Sequence, residues 1–521
     1  MSALCTTAGG GWPANPARGR LSAGLVLAGA LLAGLSIAIA FIDPLIGLAA
    51  FAIVAAGPLV IVALARPELV LYGLVAVTAL NLSDILSAQH AITGAGKAMV
   101  AVAALFLLAN ALRFGKTFIA DRLSLTALLL YCVLAGLSVF WAYEPFAALE
   151  QTDALYRNAI IASLILAAAG SYDVLRGIAR TVFLSLALLA AIAVFQVATG
   201  RYDIDFGGLG GAGFHHIAGE IDSIRVHGPY VDANSFGRIL LIGIPFAAYE
   251  AICGRNGWWR LAGAACAALL VLGVILTYSR GAMLGVAIMA LALAWCYRRH
   301  WRLQLTLAIP LIVAASLLMP QSYFDRAAAV ATIFVGGQST RDDDQSILNR
   351  IDENALAVRI FTDNVWGGVG PGGYAALFQK YSLDHNKHLR FEDRKAHSLY
   401  LELAAEGGLL ALLGFFSFVA VLGYNVLTAR RPGTRPQGGH AGLAGAIGLA
   451  LIGYLSASSV LHADFSRPFW LLCGMALALP VCARHARNQI TKRDLVIAVP
   501  RMGGRPIARQ SNVAKLERAV Q

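Results

Sequence analysis

Only 13% of this 521-residue chain is Asp, Glu, Lys or Arg, against 58% hydrophobic, so the places where arginine, histidine and carboxylate gather are conspicuous. Four of them carry residue types suited to holding an anion and moving a proton. The first is Arg225-Val226-His227-Gly228-Pro229-Tyr230-Val231-Asp232-Ala233-Asn234-Ser235-Phe236. The second is Ser279-Arg280-Gly281, set between two apolar runs. The third is Arg350 and Arg359 followed by Gly367-Gly368-Val369-Gly370-Pro371-Gly372-Gly373. The fourth is Ala396-His397-Ser398, leading into a run that holds Glu402, Glu406, Gly407 and Gly408. A guanidinium keeps its charge and grips a phosphate through paired N–H donors. An imidazole exchanges a proton near neutral pH. Each residue also has a plainer reading. Arg280 could snorkel from a helix end, Arg225 and Arg350 could be solvated loop charges, and Arg359 reads as one. His397 alone suits an interfacial position, Glu402 and Glu406 suit capping or pairing, and Gly368, Gly370 and Gly372 suit a turn before they suit a phosphate cradle.

The elements that must position these residues are membrane helices. Apolar runs of about 20 residues, enough to cross roughly 30 Å of hydrocarbon, recur throughout the chain. They are too long for barrel strands, so the fold class is an all-α polytopic bundle. Hydropathy places about fourteen candidate spans near 21–42, 45–65, 69–82, 96–112, 123–142, 158–171, 178–198, 236–253, 261–278, 282–297, 303–319, 399–428, 441–459 and 468–483. The run from Leu21 to Ile42 is long enough to span, so a cleaved signal peptide is not expected. The connections holding Arg66; Arg113, Lys116 and Arg122; Arg176 and Arg180; Arg255 and Arg260; Arg298, Arg299 and Arg302; and Arg430, Arg431 and Arg435 alternate with acidic ones. The latter hold Asp43; Asp84; Glu144, Glu150 and Asp153 (with Arg157); and Asp464. That register places the basic connections and both termini in the cytoplasm. It divides the chain into a tail (1–20), N-terminal spans (21–199), a core (200–428), C-terminal spans (429–483) and a basic tail (484–521), which is expected to lie disordered along the anionic leaflet. Within the core, loops 200–234 and 321–396 fall on the far side, the second with Asp342, Asp343 and Asp344 and then a predicted helix over 347–364. Loops so long are usually functional.

The net charge of +12 therefore belongs to cytoplasmic connections and gives no sign of nucleic-acid binding. The seven cysteines avoid the long loops, so neither a disulfide framework nor a zinc site is expected. His385 and His388 stand at i and i+3 without companions for a metal, and His215-His216 reads as loop.

In order and spacing the four segments resemble the O-antigen ligases and the related O-antigen and exopolysaccharide polymerases. The pattern there is an Arg and Gly before an Asp/Asn-Pro-Asn element, a Ser-Arg-Gly between spans, an Arg about eighteen residues before Gly-Val-Gly-Pro-Gly, and a His opening a helix with Glu and Gly. The matching positions are Arg225, Gly228, Asp232 and Asn234; Ser279, Arg280 and Gly281; Arg350; Gly368, Gly370 and Gly372; and His397, Glu406 and Gly407. The resemblance covers roughly residues 220–425. Ala233 stands where the pattern has Pro, Val365 replaces a Pro before the glycine turn, and Ser398 replaces an Asn. His385-Asn386 reproduces the His-Asn pair but lacks the following Glu-Gly helix.

The resemblance implies a bacterial inner-membrane enzyme without cofactor. It would move a glycan from a polyprenyl-diphosphate carrier to an acceptor hydroxyl, a sugar or a lipid A core, at the periplasmic face. Arg225, Arg280 and Arg350 would bind the diphosphate, and His397 would serve as general base. Asp232, Asn234, Glu406, Gly368 and Gly370 would support them, with no metal required. The stretch around Asp232-Ala233-Asn234 is more similar to the exopolysaccharide polymerases than to the ligases. A transporter or flippase also suits about fourteen spans, but such proteins place ionisable groups at mid-span. A non-catalytic export subunit that binds glycan is the third reading. The topology has a direct test: a reporter active only in the periplasm should be active when fused at Gly337 and inactive at Ser511, and the reverse would overturn the orientation.

Overall fold

A computed structural model describes residues 66–90, 94–113, 121–217, 220–230, 232–296, 342–384, 395–430, 439–462 and 466–497. The candidate spans near 21–42, 45–65 and 303–319 lie outside the described residues, as do His385, Asn386 and His388. In chain order the helices are α1 (Pro67–Ala79), α2 (Leu82–His90), α3 (Ala95–Arg113), α4 (Arg122–Leu137), α5 (Pro145–Ala168) and α6 (Tyr172–Thr199). A hairpin, β1 (Ala212–Ile217) and β2 (Glu220–Val226), precedes α7 (Ala233–Cys253), α8 (Gly257–Leu276) and α9 (Arg280–Cys296). Then come α10 (Asp342–Asp363), α11 (Gly373–Asp384), α12 (Leu399–Arg430), α13 (Gly439–Ala457) and α14 (Arg467–Ile497).

Seven helices among the described residues are long and apolar enough to cross a membrane, and α1 with α2, bent by 55°, forms a broken eighth candidate. Short polar residues set their starts. The carboxylate of Asp121 accepts from the Ser124 N–H ahead of α4, Ser171 caps α6, and Asn256 accepts from the Trp259 N–H ahead of α8. The left-handed Gly200 ends α6. The core is cemented by a buried aromatic cluster in which Tyr131 of α4 stacks on Phe418 of α12 and Trp470 of α14.

Several expectations shift. The helix over the span expected near 158–171 begins much earlier, at Pro145, and is not among the seven candidates, and α14 continues past Arg484 to Ile497, into the segment read as disordered tail. The predicted loop helix starts earlier than expected, at Asp342. The loop at 200–234 contains an antiparallel hairpin with an irregularity between His215 and His216, which hydropathy did not reveal.

Contacts sort the connections onto two ends of the bundle. At one end Arg467 bonds Asp84 at 2.7 Å, Arg225 bonds the Thr277 carbonyl, and the Leu399 N–H bonds the Ser458 carbonyl. At the other end Arg484 meets Asp121, Arg255 meets Asp173, and Arg176 and Arg180 both clamp Glu250. Glu250 is fully buried and accepts from both guanidiniums, while Arg180 also lies 3.9 Å from the centre of the Trp259 ring. Sequence reading treated Arg176 and Arg180 only as cytoplasmic charge, yet they tie α6 to α7. Removing one member of a buried ion cluster costs about 3–5 kcal/mol, because the remaining charges lose their partner. Glu250→Ala should therefore lower the melting temperature of the detergent-solubilised protein by roughly 5 °C or more. An unchanged melting curve would show that the cluster contributes nothing to stability.

Candidate functional site

The end of the bundle that carries the large loop gathers three of the four sequence segments around one pair of elements, α7 and the α8–α9 turn. The carboxylate of Asp232 caps α7, accepting from the Asn234 N–H at 2.7 Å, the Ser235 N–H at 3.1 Å and the Ser235 hydroxyl at 2.7 Å. Burial disfavours its charge. The Ser235 hydroxyl, nearby His462 and the two backbone donors outweigh that and hold the carboxyl below its usual range. Ala233 stands at the first helical position, where proline is welcome but not required. The replacement of Pro by Ala therefore leaves the start of α7 intact. Asn234 turns its side-chain oxygen to accept from Arg225 Nη2 at 3.0 Å, while Arg225 Nε donates to the Thr277 carbonyl at 2.9 Å. Arg225, at the end of β2, is thereby aimed by α7 and by the turn that begins α9.

That turn is itself tightly specified. Tyr278 takes a left-handed φ of 50°, the buried Ser279 side chain accepts from the Ala282 N–H, and Arg280 opens α9. Gly237 of α7 makes room: a Cβ there would stand 2.8 Å from the Thr277 hydroxyl and 2.9 Å from the Ala282 methyl. Ser279-Arg280-Gly281 is thus pressed against the first turns of α7.

Arg350 comes to the same place from the loop helix α10. Burial, and then the positive charges of Arg280 and Arg225, push its guanidinium below its usual value, with Glu353 and Asp232 pulling the other way. Arg350 thus lies in the field of two arginines from distant segments, a repulsion that a bound anion would relieve.

His397 lies just before α12, with Nε2 at 3.1 Å from a carboxylate oxygen of Glu353. Its ring centroid is 6.2 Å from that of His462, whose Nε2 is 3.8 Å from the Asp232 carboxylate. His397 and the arginine group are thereby joined through two residues that the sequence reading did not select. Glu353 had a signal, lying one helical turn after Arg350; His462 had none beyond its place on a short loop. Arg238 was also missed. It is 1% exposed inside α7, donates to the His462 carbonyl at 3.0 Å and lies 5.0 Å from the centre of the Tyr454 ring. Neither Arg238 nor Glu250 sits at the middle of α7; both lie towards its ends.

The glycine turn shapes backbone. Gly368, Gly370 and Gly372 have φ of 66°, 85° and 78°. The N–H of Val369 bonds the Ala405 carbonyl, that of Gly370 the Glu406 carbonyl, and that of Gly372 the Glu406 carboxylate at 2.8 Å. With the Gly370 and Gly372 donors engaged by α12, the turn reading describes the turn in this structure, and Glu406 acts as its latch. Arg359 pairs with Asp363 on the exposed side of α10, as a solvated charge would. Tyr374, at the start of α11, donates its hydroxyl to the Glu353 carbonyl at 2.8 Å. Burial, Glu353, Glu402 and Glu406 raise its phenol above the usual range, so it remains a proton donor. No group of three or more His, Cys, Asp or Glu side chains gathers in metal-binding geometry among the described residues.

No curated protein matches this chain. The family model described as O-antigen ligase matches residues 265–416, from within α8 to the middle of α12. The matched segment takes in Arg280, Arg350, the glycine turn, His397 and Glu406, and the cap of α7 with Arg225 stands outside it. Several apolar helices and this match lead to one assignment: the chain is a multi-pass membrane protein in which residues 265–416 match the O-antigen ligase family.

Proposed function

We propose that this protein is a membrane glycosyltransferase that moves a glycan from a polyprenyl-diphosphate carrier to an acceptor hydroxyl at the periplasmic face of the inner membrane. The observation that carries the reading is that Arg350 lies in the field of Arg280 and Arg225, one helical turn from the Glu353 that approaches His397. The acceptor oxygen attacks the anomeric carbon, the bond from that carbon to the diphosphate oxygen breaks, and the bonding pair leaves with the diphosphate. Guanidiniums already in place stabilise the charge that grows on the leaving group, the larger catalytic lever, and they do so without a metal ion. His397 takes the proton that the hydroxyl loses. Asn234 aims Arg225, Asp232 fixes the start of α7, and Glu406 with Gly368 and Gly370 holds the loop on the bundle. Polymerisation of repeat units is favoured over ligation to a lipid A core by the sequence around Asp232-Ala233-Asn234. The glycan profile of a deletion strain separates the two: single units on lipid A indicate a polymerase, free carrier-linked polymer a ligase.

Lysine keeps the charge of arginine but not its two-pronged donor geometry. Arg280→Lys and Arg350→Lys should stay strongly impaired at normal membrane levels, assayed on purified protein with carrier-linked substrate. His397→Ala should lose about 10²–10⁴-fold in rate while still binding the donor, and His385→Ala should be nearly silent. Near-normal activity of both lysine variants would refute a forked diphosphate contact. An active His397→Ala beside an inactive His385→Ala would move the base to the other histidine.

A further inference from the structure

The position of Glu353 goes beyond any role assigned to the site so far. Its side chain is 3% exposed, against 26% for His397. The imidazole is thus the more open of the two groups, and the carboxylate lies behind it. The carboxylate oxygen approaches Nε2 of His397 at 3.1 Å. Nδ1 of the same ring and that Glu353 oxygen are both buried and make no hydrogen bond among the described residues, so the 3.1 Å approach is a close ion-pair contact. A buried polar atom without a partner is uncommon in a folded protein and calls for a group that will satisfy it. The two nitrogens are thus unequal: one faces a fixed acceptor and the other awaits a donor.

We propose that Glu353 is the positioning residue of His397. It accepts the Nε2–H, holds the imidazole in the tautomer whose lone pair is on Nδ1, and stabilises the imidazolium that forms when Nδ1 takes the acceptor hydroxyl's proton. This rests on the glycosyl-transfer reading above and adds to it the nitrogen that acts and the group that keeps it basic. A carboxylate behind a histidine fixes its tautomer and favours its charged form, which is the form needed in the transition state. The bonds balance simply. The O–H bond of the acceptor breaks as the new N–H bond forms at Nδ1, and the electron pair of that O–H bond remains with the attacking oxygen.

The fold makes this arrangement rigid. Arg350 and Glu353 lie one turn apart on α10, so a single helical turn carries both the cation for the leaving group and the carboxylate for the base. Tyr374 anchors that turn through the Glu353 carbonyl. Leu356, Ala357 and Ile360 seat α10 in a small apolar cluster with Tyr374, Phe378 and Ala405. Other charged or titratable groups surround His397. Arg350 is on α10, His462 on the turn before α14, and Asp232 at the cap of α7. Arg225 and Arg280 act on Arg350, Lys395 lies two residues before His397, and Glu402 and Glu406 lie on α12. Among the described pairs, the contact with His397 in hydrogen-bond range is the one made by Glu353.

The test uses the full chain in detergent or nanodiscs with purified carrier-linked glycan, measuring kcat and KM across pH. In the wild type the rate should fall at acid pH as the imidazole takes up a proton. Glu353→Gln keeps the shape and removes the charge, so the imidazolium loses its partner. Its kcat should fall about 10–10²-fold with little change in KM, and the acid limb of its profile should move to lower pH. Glu353→Asp should recover part of the rate and return the limb towards the wild-type position. A purely structural role would lower the amount of folded protein and leave the limb of the folded fraction unmoved; that result in Glu353→Gln would overturn the proposal. If Glu353→Gln does not accumulate, the limb and kcat of Glu353→Asp decide, and wild-type values for both sink it. His397→Ala is measured beside them. If His397→Ala is active, the reading of His397 as base fails and this inference with it. If His397→Ala is inactive while Glu353→Gln matches wild type, only the role of Glu353 fails.

Discussion

The close approach of two chain segments that only glycine permits governs the rest of this structure. Gly368 of the loop and Gly408 inside α12 meet backbone to backbone, both left-handed, with φ of 66° and 62°. A Cβ on Gly368 would stand 2.3 Å from the Glu406 carbonyl oxygen, and one on Gly408 2.6 Å from the Gly368 nitrogen. The break in α12 at Gly408 leaves carbonyl and N–H groups without intrahelical partners. The loop supplies partners: the Leu409 N–H bonds the Val365 carbonyl, and the Gly370 N–H bonds the Glu406 carbonyl. On its other side the turn is wedged against the α4–α5 connection, where Trp141 donates to the Gly367 carbonyl and the Tyr143 N–H to that of Val369. Position and orientation of α10 follow from this interlock, and with them the placement of Arg350 and Glu353.

Electrostatics then explains why the loop end is built from so many polar supports. Three guanidiniums brought together repel one another, and burial adds to the cost. Asn234 and the Thr277 carbonyl accept from Arg225, and the Asp232 and Glu353 carboxylates lie close enough to oppose the excess charge on Arg350. Arg225 keeps a fixed direction through its two acceptors. Preorganisation of this kind lets charge developing in a reaction meet donors that need not move.

The opposite end of the bundle solves a different problem. Arg176 and Arg180 share one buried carboxylate, Glu250; Arg176 donates also to the Cys253 carbonyl, and Arg180 stacks on Trp259. α6 and α7 are joined there, and the far end of α7 begins at the Asp232 cap beside Arg225. Arg238, held by Ser458 and the His462 carbonyl, ties the same helix to the turn before α14. α7 is therefore fixed at both ends by charge buried in protein and kept out of lipid, where an unpaired ion would be costly.

The sequence by itself determined the membrane bundle, the connections that belong together at each end, and the identity and order of the motif residues. Hydropathy, charge bias and local spacing are properties of neighbouring residues and survive without a fold. It also carried the turn reading of Gly368, Gly370 and Gly372, since positive φ is a local demand. Tertiary structure alone decided which motif residues act on one another. Asp232 turned out to cap α7, Asn234 to aim Arg225, and Glu406 to latch the glycine turn. Glu353, His462 and Arg238 entered the site through contacts that span from 44 to 230 positions of sequence. Such contacts depend on how α7, α10, α12 and α14 pack in three dimensions, and no local pattern of residues encodes that packing.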